Sequence, residues 1–440
     1  MINLLYQSQL PTGKHLPNSI PFGKRSAEFL NQWGNVKNDY LEEMLDYAGI
    51  GYNQYTIKDA EKNNDLTYWY HIQPDWIDLS FFYENVFHYI DDNVMQKIKT
   101  QNNYKILIWF PTEGFNLSMP RFMDDILWTL GDKGIPHEKV YLVFGDMRMK
   151  ENFQIYLKNR RLTSEMKVFG MNIFELNYHL ETDRMYFSRG RMKEINVANE
   201  LVHPNDVNHS RIRSMKYVCR NANPRSHRLY LVSKLYKEGL LNDGYVSFLN
   251  RYFTPGANRD EIHMFTNDKN YDSIADDMRK FLNEKAPLIL DDTAETIGES
   301  LNQRRMNVEH YANSYFSIIN ETVCESAPMD PLFITEKVYQ PILQLHPFIV
   351  IGSRNTLGYL KDCGYKTFDT MFDESYDSKK ISADRIDTVW QSIQMWCRVG
   401  QQNLHDAYVR QWDTLLHNRE HFLNLNKRKT MEGFAKWIAQ

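Results

Sequence analysis

Residues Phe333 to Gly352 read FITEKVYQPILQLHPFIVIG, and the stretch parses as a capped helix followed by a strand. Thr335 is a residue type that caps helix N-termini. It sets a helix from Glu336 to Leu345 and leaves Pro347 to Gly352 as an uncharged strand ending in glycine. Glu336 and Lys337 then share the opening turn. An acid suits the positive end of a helix dipole, whereas a lysine opposes it unless an anion lies beside it. Two accounts fit the pair: a nucleotide whose phosphate meets Lys337 and whose ribose diol meets Glu336, or a capping acid beside an exposed lysine.

The same rhythm of short apolar strand and helix runs outward from this stretch. Upstream in the second half, strands are predicted at Lys216 to Cys219, Tyr245 to Leu249 and Ser314 to Asn320, with a helix from Arg225 to Glu238. In the first half, strands are predicted at Tyr104 to Phe110, Lys139 to Phe144 and Met166 to Gly170, separated by helical stretches near Met119 to Gly131 and Asn152 to Lys158. Alternation of this kind makes parallel sheets with helices on their faces. Residues 1 to 100 carry no comparable rhythm, but Thr67 to Tyr89 is dense in aromatics, among them Tyr68, Trp69, Tyr70, Trp76, Phe81 and Phe82. These are core residues or a platform for stacking on a sugar ring or a base.

A chain of 440 residues exceeds one core of roughly 100 to 200 residues, so two domains are expected. The polar run from Glu200 to Lys216 is the expected linker. A net charge of -4 gives no bulk attraction to nucleic acid. Cys219, Cys324, Cys363 and Cys397 show neither a disulfide framework nor CxxC spacing and read as reduced thiols. The N-terminus lacks a signal-peptide pattern. No run reaches the roughly 20 apolar residues of a membrane span. The expectation is a cytoplasmic protein without membrane insertion.

Chemistry-bearing motifs are mostly absent: there is no GxGxxG after a strand, no GxxxxGK[ST], no HExxH and no GxSxG. What remains is a basic stretch, Val207 to Lys237, with eight Lys or Arg and no acid. Arg225 and Arg228 fall in its strand-to-helix turn, a natural phosphate cradle; the other reading is a solvated basic helix face. No DxD sequence is present to hold a metal on a diphosphate, so no metal or other cofactor is expected.

The segment SIINETVCESAPMDPLFITEKVYQPILQLHPFIVIGS, Ser317 to Ser353, resembles the hallmark of α1,3-fucosyltransferases, and the Arg225 to Tyr236 region is similar to that family's upstream phosphate-contacting segment. The two motifs cover about 60 residues of the second half. The resemblance implies a GT-B-like α/β fold, two Rossmann-like domains facing each other across a cleft. Residues 1–205 would form the acceptor-side domain and 206–415 the nucleotide-sugar domain, with 416–440 a C-terminal helix packing back on the first domain. It implies an inverting transfer of a sugar, with GDP-fucose a candidate donor, to a hydroxyl of a glycan.

Residue by residue, it assigns Arg228 and Lys337 to the donor diphosphate and Glu336 to the ribose. Asn320 and Glu321 match an acid and amide pair in reversed order, and Phe333 stands where the family has a base-edge tyrosine. Inversion needs a general base; Glu113, in IWFPTEGFNL just past a strand, resembles the family's base-bearing loop, with Asp146 in FGDMR behind it. Two alternatives stand beside this reading. One is a viral-type enzyme acting on a hydroxylated DNA base, working in a host cytoplasm; the other is a non-catalytic nucleotide-binding protein.

Overall fold

The run Tyr104–Phe110 forms a strand buried at all but one position. That pattern belongs to a parallel sheet covered on both faces, where alternation is replaced by continuous apolar sequence. The computed structural model describes residues 1–6, 41–72, 87, 90, 92–117, 122–182, 201–202, 204, 207, 209–222, 224–249, 270–290 and 307–440. They form a mixed α/β structure of two units. Unit 1 comprises Met1–Glu181, Pro331–Phe333 and Asn426–Gln440; unit 2 comprises Thr182–Asp330 and Ile334–Leu425.

Among the described residues, unit 1 holds six strands: β1 (Ile2–Tyr6), β2 (Tyr52–Thr56), β3 (Tyr68–Ile72), β4 (Tyr104–Phe110), β5 (Val140–Phe144) and β6 (Lys167–Gly170). They lie in the order β2-β1-β3-β4-β5-β6, and every pairing is parallel. The first three strands depart from the expectation of an irregular N-terminal region. β1 escapes simple pattern reading because Asn3 interrupts its apolar run; the Asn3 side chain is matched only in the fold, donating to the Thr67 carbonyl at 3.1 Å and accepting from Asn53 at 3.0 Å. Tyr68, Trp69 and Tyr70 are buried in β3 and belong to the core. Trp76, Phe81 and Phe82 lie outside the described residues.

The C-terminal helix Lys427–Ile438 belongs to unit 1. Its Phe434 meets Trp109 edge-on at 5.1 Å, and Trp437 stacks on Phe169 at 5.1 Å. The helix thereby covers the apolar surface of β4 and β6, as an all-parallel sheet requires.

Unit 2 holds β7 (Tyr217–Cys219), β8 (Gly244–Val246), β9 (Phe316–Asn320) and β10 (Phe348–Ile351), in the order β10-β9-β7-β8, again all parallel. The helix after β9 spans Glu336–Leu343, two residues shorter than expected, because Leu345 takes a left-handed φ of 52°. The segment expected to link the domains is anchored in unit 2. Val202 donates its N–H to Gln344 at 2.9 Å, and the buried Arg213 guanidinium lies 3.8 Å from the centre of the Tyr408 ring.

In each sheet the chain runs outward one way and then returns past its start. The reversal falls between β1 and β3 in unit 1 and between β7 and β9 in unit 2. At such switch points the connections leave in opposite directions, opening a crevice outside the strands' carboxyl ends where doubly wound sheets take their ligands.

One packing contact in unit 1 is unusually restrictive. A Cβ placed on Gly114 would lie 2.3 Å from the Phe333 ring, and one on Gly145 would lie 2.6 Å from the Pro111 carbonyl oxygen. We expect Gly114→Ala to lower unfolding stability in urea by about 2 to 3 kcal/mol, the upper range for overpacking a core. Adding Phe333→Leu to the same chain should return part of that loss.

Candidate functional site

The carboxyl ends of β7 and β9 gather most of the residues singled out from sequence. β7 ends at Cys219, and the chain enters the helix Ser226–Lys237 through Arg225, whose extended backbone forms the N-cap. β9 ends at Asn320, followed by Glu321 and a loop that enters the helix Glu336–Leu343 through Thr335. Arg225, Arg228, Asn320, Glu321, Glu336 and Lys337 therefore all stand in unit 2, around the point where its sheet reverses.

Glu321 organises the group. Its carboxylate is fully buried and accepts three hydrogen bonds: from the Thr335 N–H at 3.0 Å, the Thr335 hydroxyl at 2.7 Å and the Thr322 N–H at 3.1 Å. The Thr335 hydroxyl thus serves Glu321 and does not cap the helix. The Glu321 backbone carbonyl accepts from Arg228 at 2.9 Å and from His227 Nε2 at 2.9 Å. A charged acceptor with three donors is satisfied where it stands, so Glu321 braces the site; it does not present its carboxylate as an open ligand group.

Arg228 is also buried, with a second bond to the Asn320 carbonyl at 3.3 Å. Burial, then repulsion from Arg225, lowers its pKa to about 10, with Glu321 and Glu336 acting in the opposite sense. The guanidinium stays charged at neutral pH and contributes a fixed positive potential from beneath the crevice. Asn320 donates to Asn221 at 3.0 Å, while Asn221 donates to the Ser247 carbonyl at 3.1 Å. This relay fixes the amide orientation of both. Cys219, below them, has its thiol pushed up to about 12 by burial and is not a nucleophile.

Arg225 is different. It is half-buried, and among the described residues its side chain has no hydrogen bond or ion pair, though it is close enough to depress both His227 and Arg228. The other cations of the basic stretch are largely spent on protein groups: Lys216 on Asp243 at 2.9 Å, Lys234 on Asp387 at 3.0 Å, Lys237 on Asp277 at 2.8 Å. Lys337 takes an intermediate place. Its ammonium bonds Glu336 at 3.0 Å and the Thr335 hydroxyl at 3.0 Å, which answers the charge opposition of the helix dipole internally, yet 27% of its side chain remains exposed.

Two further expected site residues, Phe333 and Glu113, lie in unit 1. Phe333 belongs to unit 1, is 3% exposed, and packs its ring over Gly114 and Gly145 and edge-on to Phe174 at 5.5 Å. That ring is consumed by the core of unit 1, which replaces the expectation that it stacks on a base. Glu113 is half-buried just past β4, and its carbonyl accepts from Gly145 at 2.7 Å. Asp146, the reserve acid, is fully buried and accepts from Arg148 N–H at 2.9 Å, Asn152 at 2.7 Å and Leu332 N–H at 2.8 Å. Burial raises its pKa against those bonds.

The acidic loop after residue 372 is likewise used for capping, with Asp377 accepting from the N–H groups of Leu357 and Gly358, both at 3.0 Å. Among the described residues, no cluster of three or more His, Cys, Asp or Glu is arranged to hold a metal ion, and no helix is long and apolar enough to cross a membrane.

His227 and His346 were not singled out for the site, and both are buried neutral imidazoles. Burial, followed by Arg228, pushes His227 well below its usual range; burial, followed by Arg213, pushes His346 down to about 3. His346 Nε2 donates to the Ser314 carbonyl at 2.9 Å, so Nδ1 accepts from Ser317 Oγ at 2.7 Å. An imidazole that is neutral when folded but takes a proton near pH 6.5 when unfolded adds stability above that pH. The contribution is lost as pH falls toward the folded pKa. For each histidine the slope approaches about 1.4 kcal/mol per pH unit. Between pH 6.5 and 4, urea midpoints should fall in the native protein and fall less in His346→Gln. Parallel curves would show that His346 titrates alike in both states.

No protein-family model and no curated protein matches this chain, so its functional reading rests on its own residues.

Proposed function

We propose that the protein is an inverting, metal-independent glycosyltransferase of GT-B type, which moves a sugar from a nucleoside diphosphate to an acceptor hydroxyl, with a glycan as acceptor and fucose among the candidate sugars. The observation that carries this reading is Arg225: a half-buried guanidinium without a side-chain partner among the described residues, at the switch point of a parallel sheet. Arg228 lies buried beneath it, and the N-terminus of the helix Ser226–Lys237 lies beside it. A phosphate there meets helix N–H groups and a forked donor together.

In this reading the diphosphate is bound by Arg225 and by Lys337, which exchanges part of its contact with Glu336 for a phosphate oxygen. Glu336 turns to the ribose diol. Arg228 acts through its field, because its donors serve the Asn320 and Glu321 carbonyls. As the bond from sugar to diphosphate breaks, negative charge grows on the leaving phosphate. Fixed cations stabilise that charge without reorganising, and such preorganised electrostatics account for much of an enzyme's rate enhancement.

Calorimetric titration with GDP, UDP, CDP, ADP and dTDP tests the reading. One nucleoside diphosphate should bind the native protein, and Arg225→Ala should weaken it by about 10-fold to 100-fold, the equivalent of one charge-assisted hydrogen bond. Lys337→Ala should have a smaller effect in the same direction. Failure of all five to bind would remove the proposal.

A further inference from the structure

β2 closes one side of the unit 1 sheet, and among the described residues no strand pairs with its outer side. Ile2 donates its N–H to the Gly51 carbonyl at 3.4 Å, which sets the alternation of the ladder. Asn53 and Tyr55 turn their backbone groups toward β1, and Tyr52, Gln54 and Thr56 turn theirs outward. Sheet edges are commonly blunted by charged side chains, proline or a bulge. This strand reads YNQYT, without charge or proline, and keeps an unbroken register with β1 over all five residues. It is therefore an open template for a further strand.

The edge also complements itself. When two copies of β2 run antiparallel about a two-fold axis at Gln54, Tyr52 of each falls opposite Thr56 of the other, and each outward N–H meets a carbonyl. The ends carry the charge. Asp46, exposed beside the start of the strand, accepts from the Tyr52 hydroxyl at 3.2 Å. Lys58, exposed two residues past the end of the strand, has no ion pair among the described residues, while its neighbour Asp59 is held by Lys62 at 2.8 Å. Antiparallel pairing brings the Asp46 end of one copy to the Lys58 end of the other. An open depression of about 500 Å³ runs along the first half of β2, lined by Asp46, Ile50, Gly51, Tyr52, Asn53 and Gln54. The same pairing carries Ile57 and Lys58 of the second copy to it, an apolar side chain for Ile50 and a cation for Asp46.

We propose that β2 is a self-association edge, through which a second copy of this chain extends the unit 1 sheet by antiparallel pairing of β2 with β2. This holds whatever reaction the protein performs. Backbone hydrogen bonds supply the affinity, and the Asp46 to Lys58 contact, made twice by symmetry, selects the register and the partner. Strands of five residues make an interface at or below the roughly 1,200 Å² where standard ones begin, so the dimer dissociates in the micromolar range.

Sedimentation velocity over a wide range of protein concentration tests the edge. The native protein should pass from monomer to dimer as its concentration rises. Gln54→Pro removes the central outward N–H without breaking a bond to β1, and should weaken association by about 10-fold to 100-fold, the equivalent of two backbone hydrogen bonds. Lys58→Glu, at an exposed position, should weaken it as well. Combining Lys58→Glu with Asp46→Lys should restore it, because the two charges then exchange places. A native protein that stays monomeric throughout would overturn the proposal and leave the edge to a strand of a different protein. A dimer unmoved by Lys58→Glu, or by a Gln54→Pro that keeps the native circular dichroism, would overturn it by placing the contact elsewhere.

Discussion

The candidate site of unit 2 depends on one buried carboxylate. Glu321 ties the end of β9 to the start of the next helix through Thr335, and its carbonyl ties the same point to the helix after β7 through His227 and Arg228. A Cβ on Gly352, at the end of β10, would lie 3.0 Å from Glu321 Cβ, so two strand ends and two helix starts converge on this residue. Removing the charge would leave buried donors without an acceptor, which costs more than the bonds themselves contribute.

That brace separates two kinds of cation. Arg228 is built in: its guanidinium is held by backbone carbonyls and its burial is what lowers its pKa. Arg225, three residues earlier, is carried on the same turn without such partners among the described residues. The contrast is what a phosphate site needs. In the proposed site a fixed charge would set the potential, and a neighbouring forked donor would meet the ligand.

Much of the parallel architecture was legible in the sequence because buried parallel strands are continuous apolar runs. Tyr104–Phe110 shows this directly, as do the strands that end at Phe144 and Asn320. The N-terminal strands were not legible, since the partners that make Asn3 tolerable there lie about fifty residues or more away. In the site, the position of Arg225 and Lys337 at helix starts could be read locally. The work of Glu321 could not, because its main partner Thr335 is reached only after a loop, and an acid at a strand end looks the same whether it meets a ligand or a threonine. Phe333 misled for a related reason. Only the two glycines at the strand ends, Gly114 and Gly145, hinted that a large ring from elsewhere in the chain would close over them.

The most direct measurement is a crystal structure of the protein grown with the nucleoside diphosphate that binds it. The account predicts phosphate oxygens within hydrogen-bond distance of the Arg225 guanidinium, outside the carboxyl ends of β7 and β9, with the Glu321 to Thr335 bonds intact. Phosphate density elsewhere, or an Arg225 side chain engaged by a protein carboxylate while nucleotide is bound, would contradict it.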